Sequence, residues 1–257
     1  MRPFLLLATR AEDEAADNEY AAFLQVTGLT EAELVRVRLE QRGIGQLDLD
    51  GFSGVLLGGS PFTSSDAPAR KSTVQRRVEQ DLAAVLDLVV AQDRPFFGAC
   101  YGIGSLGQHQ GAVVDGRYAE PVGTVPVSLS DHARTDPVFG VLPPRFDAFV
   151  GHKEAISDVP PHVVVLASSP LCPVQAFRVG RNVYATQFHP ELDADGLCLR
   201  IETYKHLGYF APEEAAGLKA MARASAVVEP PQVLRRFVDV HGRGLGVAAP
   251  APAATRP

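Results

Sequence analysis

The sequence predicts an α/β protein with a mostly parallel central sheet flanked by helices and a small antiparallel extension. Three observations carry this. Apolar runs at residues 4–8, 54–61 ("GVLLGGSP") and 94–100 ("RPFFGAC") are nearly unbroken, as in strands covered on both faces. The second and third are separated by an amphipathic stretch at 72–92, which makes a strand–helix–strand unit. From about residue 112 the pattern changes to shorter strand-like runs broken by turn signals.

Taken in order, residues 4–8 read as a first buried strand and "LVRVRLE" at 34–40 as an alternating one, with 54–61 the next. In the helix at 72–92, Val74, Val78, Leu82, Val85, Leu86 and Val89 form one apolar stripe. Ser72 and Gln75 have the spacing of a capping box at its start. The runs "TVPVSLS", "FDAFVGH", "HVVVLASS", "PVQAFRVG" and "NVYATQFHP" are read as antiparallel strands that return to the central sheet. Helices are expected at about 196–207, 212–226 and 230–240, and one domain over 1–240 with a flexible Gly/Ala/Pro-rich tail at 241–257.

A chain of 257 residues with 46% apolar and 21% charged residues can bury a substantial core without disulfides or metals. Its net charge of −6 argues against a general nucleic-acid binder, which draws on a basic surface. Three scattered cysteines and no C-x-x-C pair exclude a disulfide framework or a zinc set and point to a reducing cytoplasm. Asp48 and Asp50 near Gly51 lack the rest of a calcium loop, so no metal is expected. The apolar part of "MRPFLLLATR" is too short for a signal peptide or a membrane span.

The segment "FGACYGIG" places Cys100 between Gly98 and Gly102, straight after an apolar strand. That fits the G-x-nucleophile-x-G elbow with cysteine as nucleophile. The N-terminus of the following helix favours thiolate over thiol, and the Tyr101 N–H is placed to donate to an oxyanion. A buried structural cysteine is the alternative. Gly58-Gly59, also after an apolar strand, offers a second oxyanion donor or is an ordinary glycine turn. A thiol nucleophile needs a base held by a third group. His189 in "VYATQFHPEL" ends a strand, Pro190 stops it and Glu191 follows two residues on. His152 in "FVGHKEAI" is the rival base, ranked second because Lys153 beside it disfavours an imidazolium.

Together "LLGGSP", "GACYG" and "ATQFHPE", in that order, resemble the class I glutamine amidotransferase superfamily over residues 3 to 207 or so. The resemblance implies a flavodoxin-like core and a Cys-His-Glu triad that frees ammonia from glutamine through a γ-glutamyl thioester. Cys100 is then the nucleophile, His189 the general base and acid, and Glu191 the orienting carboxylate. Gly59 and Tyr101 become the oxyanion donors, with His152 and Gln175 in the substrate pocket. No cofactor is implied; the partners are a glutamine or γ-glutamyl substrate and a separate synthetase or ammonia acceptor. One departure stands out: Gly104 occupies the place of the family's substrate-holding glutamine. This leaves a γ-glutamyl hydrolase as the second reading, and a non-catalytic binding protein as the third.

Overall fold

The first strand, β1 (Phe4–Ala8), is buried along its whole length. Its alternate side chains serve two cores, because successive residues of a strand point to opposite faces. Phe4 and Leu6 join Phe97, Tyr184 and Phe237 on one face, while Leu5 and Leu7 join Val55, Phe96 and Val85 on the other. Both faces are therefore covered, and both cores meet in the strands the sequence marks as continuously apolar.

The computed structural model describes residues 1–45 and 48–245. After β1 come α1 (Asp13–Thr27), β2 (Leu34–Arg38), a single helical turn α2 (Leu39–Arg42), β3 (Gly54–Leu57), α3 (Thr73–Ala91), β4 (Phe96–Ala99) and α4 (Tyr101–His109). There follow β5 (Val113–Asp115), β6 (Glu120–Leu129), the turn α5 (Asp131–Arg134), β7 (Arg145–His152), β8 (Ala155–Asp158), β9 (Val164–Ser168), β10 (Ala176–Val179) and β11 (Val183–Thr186). Three helices close the chain: α6 (Ala194–Tyr204), α7 (Ala215–Ala224) and α8 (Pro231–His241).

Among the described residues, nine strands form one sheet in the order β2-β1-β3-β4-β11-β10-β9-β6-β7. From β2 to β11 the neighbours are parallel; from β11 to β7 they are antiparallel. The expected extension thus returns to the central sheet through β11, paired with β4 in the register Thr186↔Ala99. β5 and β8 form a separate small antiparallel pair.

Some expectations shift. The strand read at 34–40 ends at Arg38, where α2 begins. Helix α1 escapes the periodicity reading because its start is the acidic run "DEAADNE", yet Ala15, Ala16 and Phe23 are buried and Glu19 is buried with them. Half of the capping box forms: the Ser72 hydroxyl accepts from the Gln75 N–H at 3.0 Å. The Gln75 amide instead donates to the Thr63 carbonyl at 2.9 Å and to Glu79 at 3.0 Å. Of the tail expected at 241–257, Arg243 is tied back to the Thr27 carbonyl at 3.2 Å, and residues 246–257 lie outside the described part.

Helix α8 docks through the buried Val233, Leu234, Phe237 and Val238, and the aromatic ring is the largest of these contacts. The Phe237 ring lies 6.2 Å from Phe4, 5.5 Å from Phe97 and 6.1 Å from Tyr184, centroid to centroid. Phe237→Ala is expected to cost about 3–5 kcal/mol, the range for emptying a buried phenylalanine site. The check is the urea midpoint, which should fall at unchanged slope; a shift within 0.5 kcal/mol or so of wild type would mean α8 does not close this core.

Candidate active site

A parallel sheet collects the carboxyl ends of its strands on one edge, where ligands of open α/β proteins bind. Here that edge receives Arg10 after β1, Gly58-Gly59-Ser60 after β3, Cys100 after β4 and His189 just beyond β11. The site is thus a consequence of strand order. Residues far apart in the chain arrive together because their strands are neighbours.

Cys100 adopts φ 52° and ψ −91°, left-handed backbone that non-glycine residues rarely occupy and that stores roughly 1–3 kcal/mol of strain. Its N–H donates to the Thr186 carbonyl at 2.7 Å, tying the elbow to the end of β11. The flanking glycines have a steric reason. A Cβ on Gly98 would lie 2.9 Å from the Gly102 Cα, so the first turn of α4 sits directly on β4. Helix α4 starts at Tyr101, and the N–H groups of a first helical turn have no intrahelical partner. The Tyr101 N–H accordingly has no partner among the described residues.

His189 is presented by the end of β11 and anchored by its N–H to the Phe149 carbonyl of β7 at 3.2 Å. Its Nδ1 lies 2.9 Å from Glu191 Oε1 and 3.1 Å from an Arg200 guanidinium nitrogen; the carboxylate acceptor favours a proton on Nδ1 and leaves Nε2 facing away from Glu191. Burial works against a charged imidazole here. Glu191, then the Cys100 thiolate, outweigh it and push the His189 pKa up from 6.5 to about 9. Burial also opposes ionisation of Glu191, but His189 and Arg200 hold its carboxyl well below the usual carboxylate range.

Behind this pair stands a charge network that motif reading misses. Arg200 of α6 donates to Glu191 Oε1 at 3.1 Å and lies 3.5 Å from Glu19 Oε1. Arg10 donates to the same Glu19 oxygen at 2.9 Å and to the Tyr204 hydroxyl at 3.0 Å. All four charged residues are buried. Two cations and two carboxylates balance, as buried charges require. The only sequence trace is charge at strand ends and inside amphipathic helices, which does not single these residues out.

Of the sequence-derived candidates, His152 lines a cleft beside Cys100 as expected, while Gly59 and Gln175 take other places. The Gly59 N–H donates to Glu19 Oε1 at 3.1 Å, so in this conformation it is spent on the charge network rather than turned to an oxyanion. A Cβ there would lie 2.5 Å from Arg10 and 2.8 Å from His189 Cε1, which is why glycine stands beside the imidazole. The next N–H along, that of Ser60, has no partner among the described residues. His152 is no rival base: its Nε2 bonds Glu120 at 2.9 Å and its Nδ1 bonds the Glu154 carbonyl at 2.9 Å. Both nitrogens are engaged, while the neighbouring Lys153 turns away to bond the Leu207 carbonyl at 2.7 Å. Gln175 is fully buried and donates to Glu120 at 2.6 Å. It steadies the residue that steadies His152. Glu120, His152 and Cys172 bring three potential ligand atoms within 4.8 Å of one another, but hydrogen bonds from Ser169, Gln175 and His152 already use the carboxylate.

At Gly104 the departure from the family pattern acquires a cause. A Cβ there would lie 2.9 Å from Ser64 Oγ and 3.2 Å from Glu154 Oε1. Glu154 accepts from the Ser64 and Ser65 N–H groups at 2.8 and 2.7 Å. The space a longer side chain would need is filled by this loop clasp. Gly104→Gln is expected to open the clasp and expose the loop at 60–72, read as faster limited proteolysis there; unchanged cleavage would contradict it.

Cys100 lies where two clefts meet. The larger includes His189, Arg10 and Arg200. The smaller includes Tyr101, Gly104, Lys153 and Glu154. Among the described residues no helix is long and apolar enough to cross a membrane.

Comparisons with known proteins agree with this architecture. The glutamine-hydrolyzing GMP synthase subunit of Thermoplasma volcanium is 31% identical over 166 residues, covering 63% of this chain and 72% of that one. The GMP synthase of Pseudomonas aeruginosa is 29% identical over 159 residues, 58% of this chain and 27% of that enzyme; the chain thus matches about a quarter of that longer protein. A crystal structure of a glutamine amidotransferase from Thermotoga maritima superposes with a TM-score of 0.73 at 17% identity, covering 94% of this chain and 98% of the other. One from Methylobacillus flagellatus gives 0.67 at 17% identity, covering 93% and 95%. At these identities the two structures speak for the fold. The family model "Glutamine amidotransferase class-I" matches residues 21–195, and by that match the chain belongs to the class I glutamine amidotransferase family.

Proposed function

We propose that the protein hydrolyses a γ-glutamyl amide through a Cys100 thioester, with glutamine as the simplest substrate. One observation carries the reading: a strained elbow cysteine stands against a histidine whose imidazolium is held by a buried carboxylate. Cys100 thiolate attacks the γ-carbonyl carbon, and the negative oxygen is received by the N–H groups of Tyr101 and Ser60. The C–N bond breaks as His189 gives its proton to the leaving nitrogen. Water then attacks the thioester with His189 taking its proton, the C–S bond breaks, and glutamate leaves. Glu191 keeps the imidazole oriented throughout.

With glutamine the released amine is ammonia, and a separate synthetase is its proposed acceptor, in keeping with the names of the GMP synthase relatives. The cytoplasm is the proposed setting. A substituted γ-glutamyl amide is the second reading, favoured by the Ser64–Glu154 clasp over Gly104. The test is release of glutamate and amine by the purified protein, with Cys100→Ala as control. Cys100-dependent release supports the reading, and equal release by both proteins contradicts it.

The protonation state of His189 adds a pH prediction. Its pKa is raised in the folded chain, so its stabilising contribution is complete below pH 6.5 and is lost as pH rises through about 9. The leaving nitrogen loses its proton donor over the same rise. Both kcat and the denaturation midpoint are expected to decline toward pH 9, and His189→Gln should lack this stability decline. A pH-independent difference between the two proteins would count against the assignment.

A further inference from the structure

We infer that the amine half of the substrate is apolar, so that the preferred substrates are γ-glutamyl conjugates of small hydrophobic amines rather than glutamine itself. The inference rests on the thioester reading above and concerns what each cleft beside Cys100 holds. In the smaller cleft stands Tyr101 at the N-terminus of α4, whose N–H receives the carbonyl oxygen of the glutamyl half in that reading. In the larger cleft stands His189, the group that must reach the leaving nitrogen. The leaving amine therefore points into the larger cleft.

That cleft is walled by Val122, Phe149, Leu192, Leu197, Ile201 and Phe210. Its cations Arg10 and Arg200 are neutralised by Glu19 and Glu191. An apolar wall gives nothing to ammonia, which is small and hydrated, but gains with each buried methylene of an alkyl or aromatic amine. Tyr209 closes both clefts from the segment after α6, and Lys153 holds that segment through the Leu207 carbonyl and the Tyr209 ring, 4.1 Å from its ammonium. The wall is thus a pinned part of the fold. The bond changes are those of the thioester cycle: C–N breaks, the proton passes from His189 to the amine nitrogen, and water later replaces sulfur.

The experiment measures kcat/KM of the full chain for glutamine and for γ-glutamyl methylamide, butylamide and benzylamide. Val122→Thr, which keeps the side-chain shape, and Phe210→Ser are measured beside wild type. The expected result is a rise along the series, with butylamide or benzylamide about tenfold or more above glutamine, and a several-fold fall in the benzylamide-to-glutamine ratio in both variants. Glutamine turned over as well as or better than the conjugates, with the ratio unmoved in the variants, overturns the inference and leaves the thioester reading intact. Absence of Cys100-dependent release from every substrate, together with no labelling of Cys100 by an electrophilic glutamine analogue, overturns both.

Discussion

Cys100→Ala is expected to lower kcat by on the order of 10⁶-fold, the loss seen when a triad nucleophile is removed, while the fold persists. Alanine keeps the same Cβ and meets the same φ of 52°, so backbone strain is unchanged. The informative companion is Cys100→Gly. Glycine takes positive φ without steric cost, so this variant should be equally inactive yet more stable by about 1 kcal/mol. Activity and stability would then move in opposite directions at one residue. That is the signature of strain held in place for function. If Cys100→Gly is less stable than Cys100→Ala, the elbow is not strained in the way its dihedrals indicate.

Glu191→Ala is expected to damage stability and turnover together. It removes the acceptor for His189 and for Arg200, leaving a guanidinium in a buried place with one partner fewer. Breaking such a pair costs about 3–5 kcal/mol, and losing the orienting carboxylate lowers kcat by about 10⁴-fold. Glu191→Gln separates the two effects: it keeps the shape but weakens the hold on Arg200, so it should recover part of the stability and little of the rate. Because the Glu191 pKa is depressed in the folded chain, its contribution is present above pH 4.5 and is lost as pH falls further. Acid unfolding below that pH should be steeper in wild type than in Glu191→Gln. Near-wild-type turnover in Glu191→Gln would remove the carboxylate from the mechanism.

The strands were legible because burial on both faces leaves a mark in composition: "FLLLA" and "GVLL" have no polar position at all. The elbow was legible because close backbone packing between residues 98 and 102 demands glycine. His189 and Glu191 were legible because they are neighbours in sequence. What lay hidden depends on tertiary approach. Glu19 reads as one more acid of a solvated run until α1 packs it against Arg10 and Gly59. His152 reads as a rival base until Glu120, brought opposite it by the β6–β7 register, takes its Nε2. Gly59 reads as an oxyanion donor until the direction of its N–H is known. Gly104 reads as a bare loss until Ser64 and Glu154 are seen over it.

The most direct measurement is the intact mass of the protein after exposure to an electrophilic γ-diazoketone analogue of glutamine, followed by peptide mapping. A single adduct on Cys100 is expected, with none on the buried Cys172 or Cys198. It should be absent in Cys100→Ala and greatly slowed in His189→Ala. Labelling that spreads over other cysteines, or that proceeds at the same rate without His189, would contradict a Cys100 nucleophile activated by this histidine.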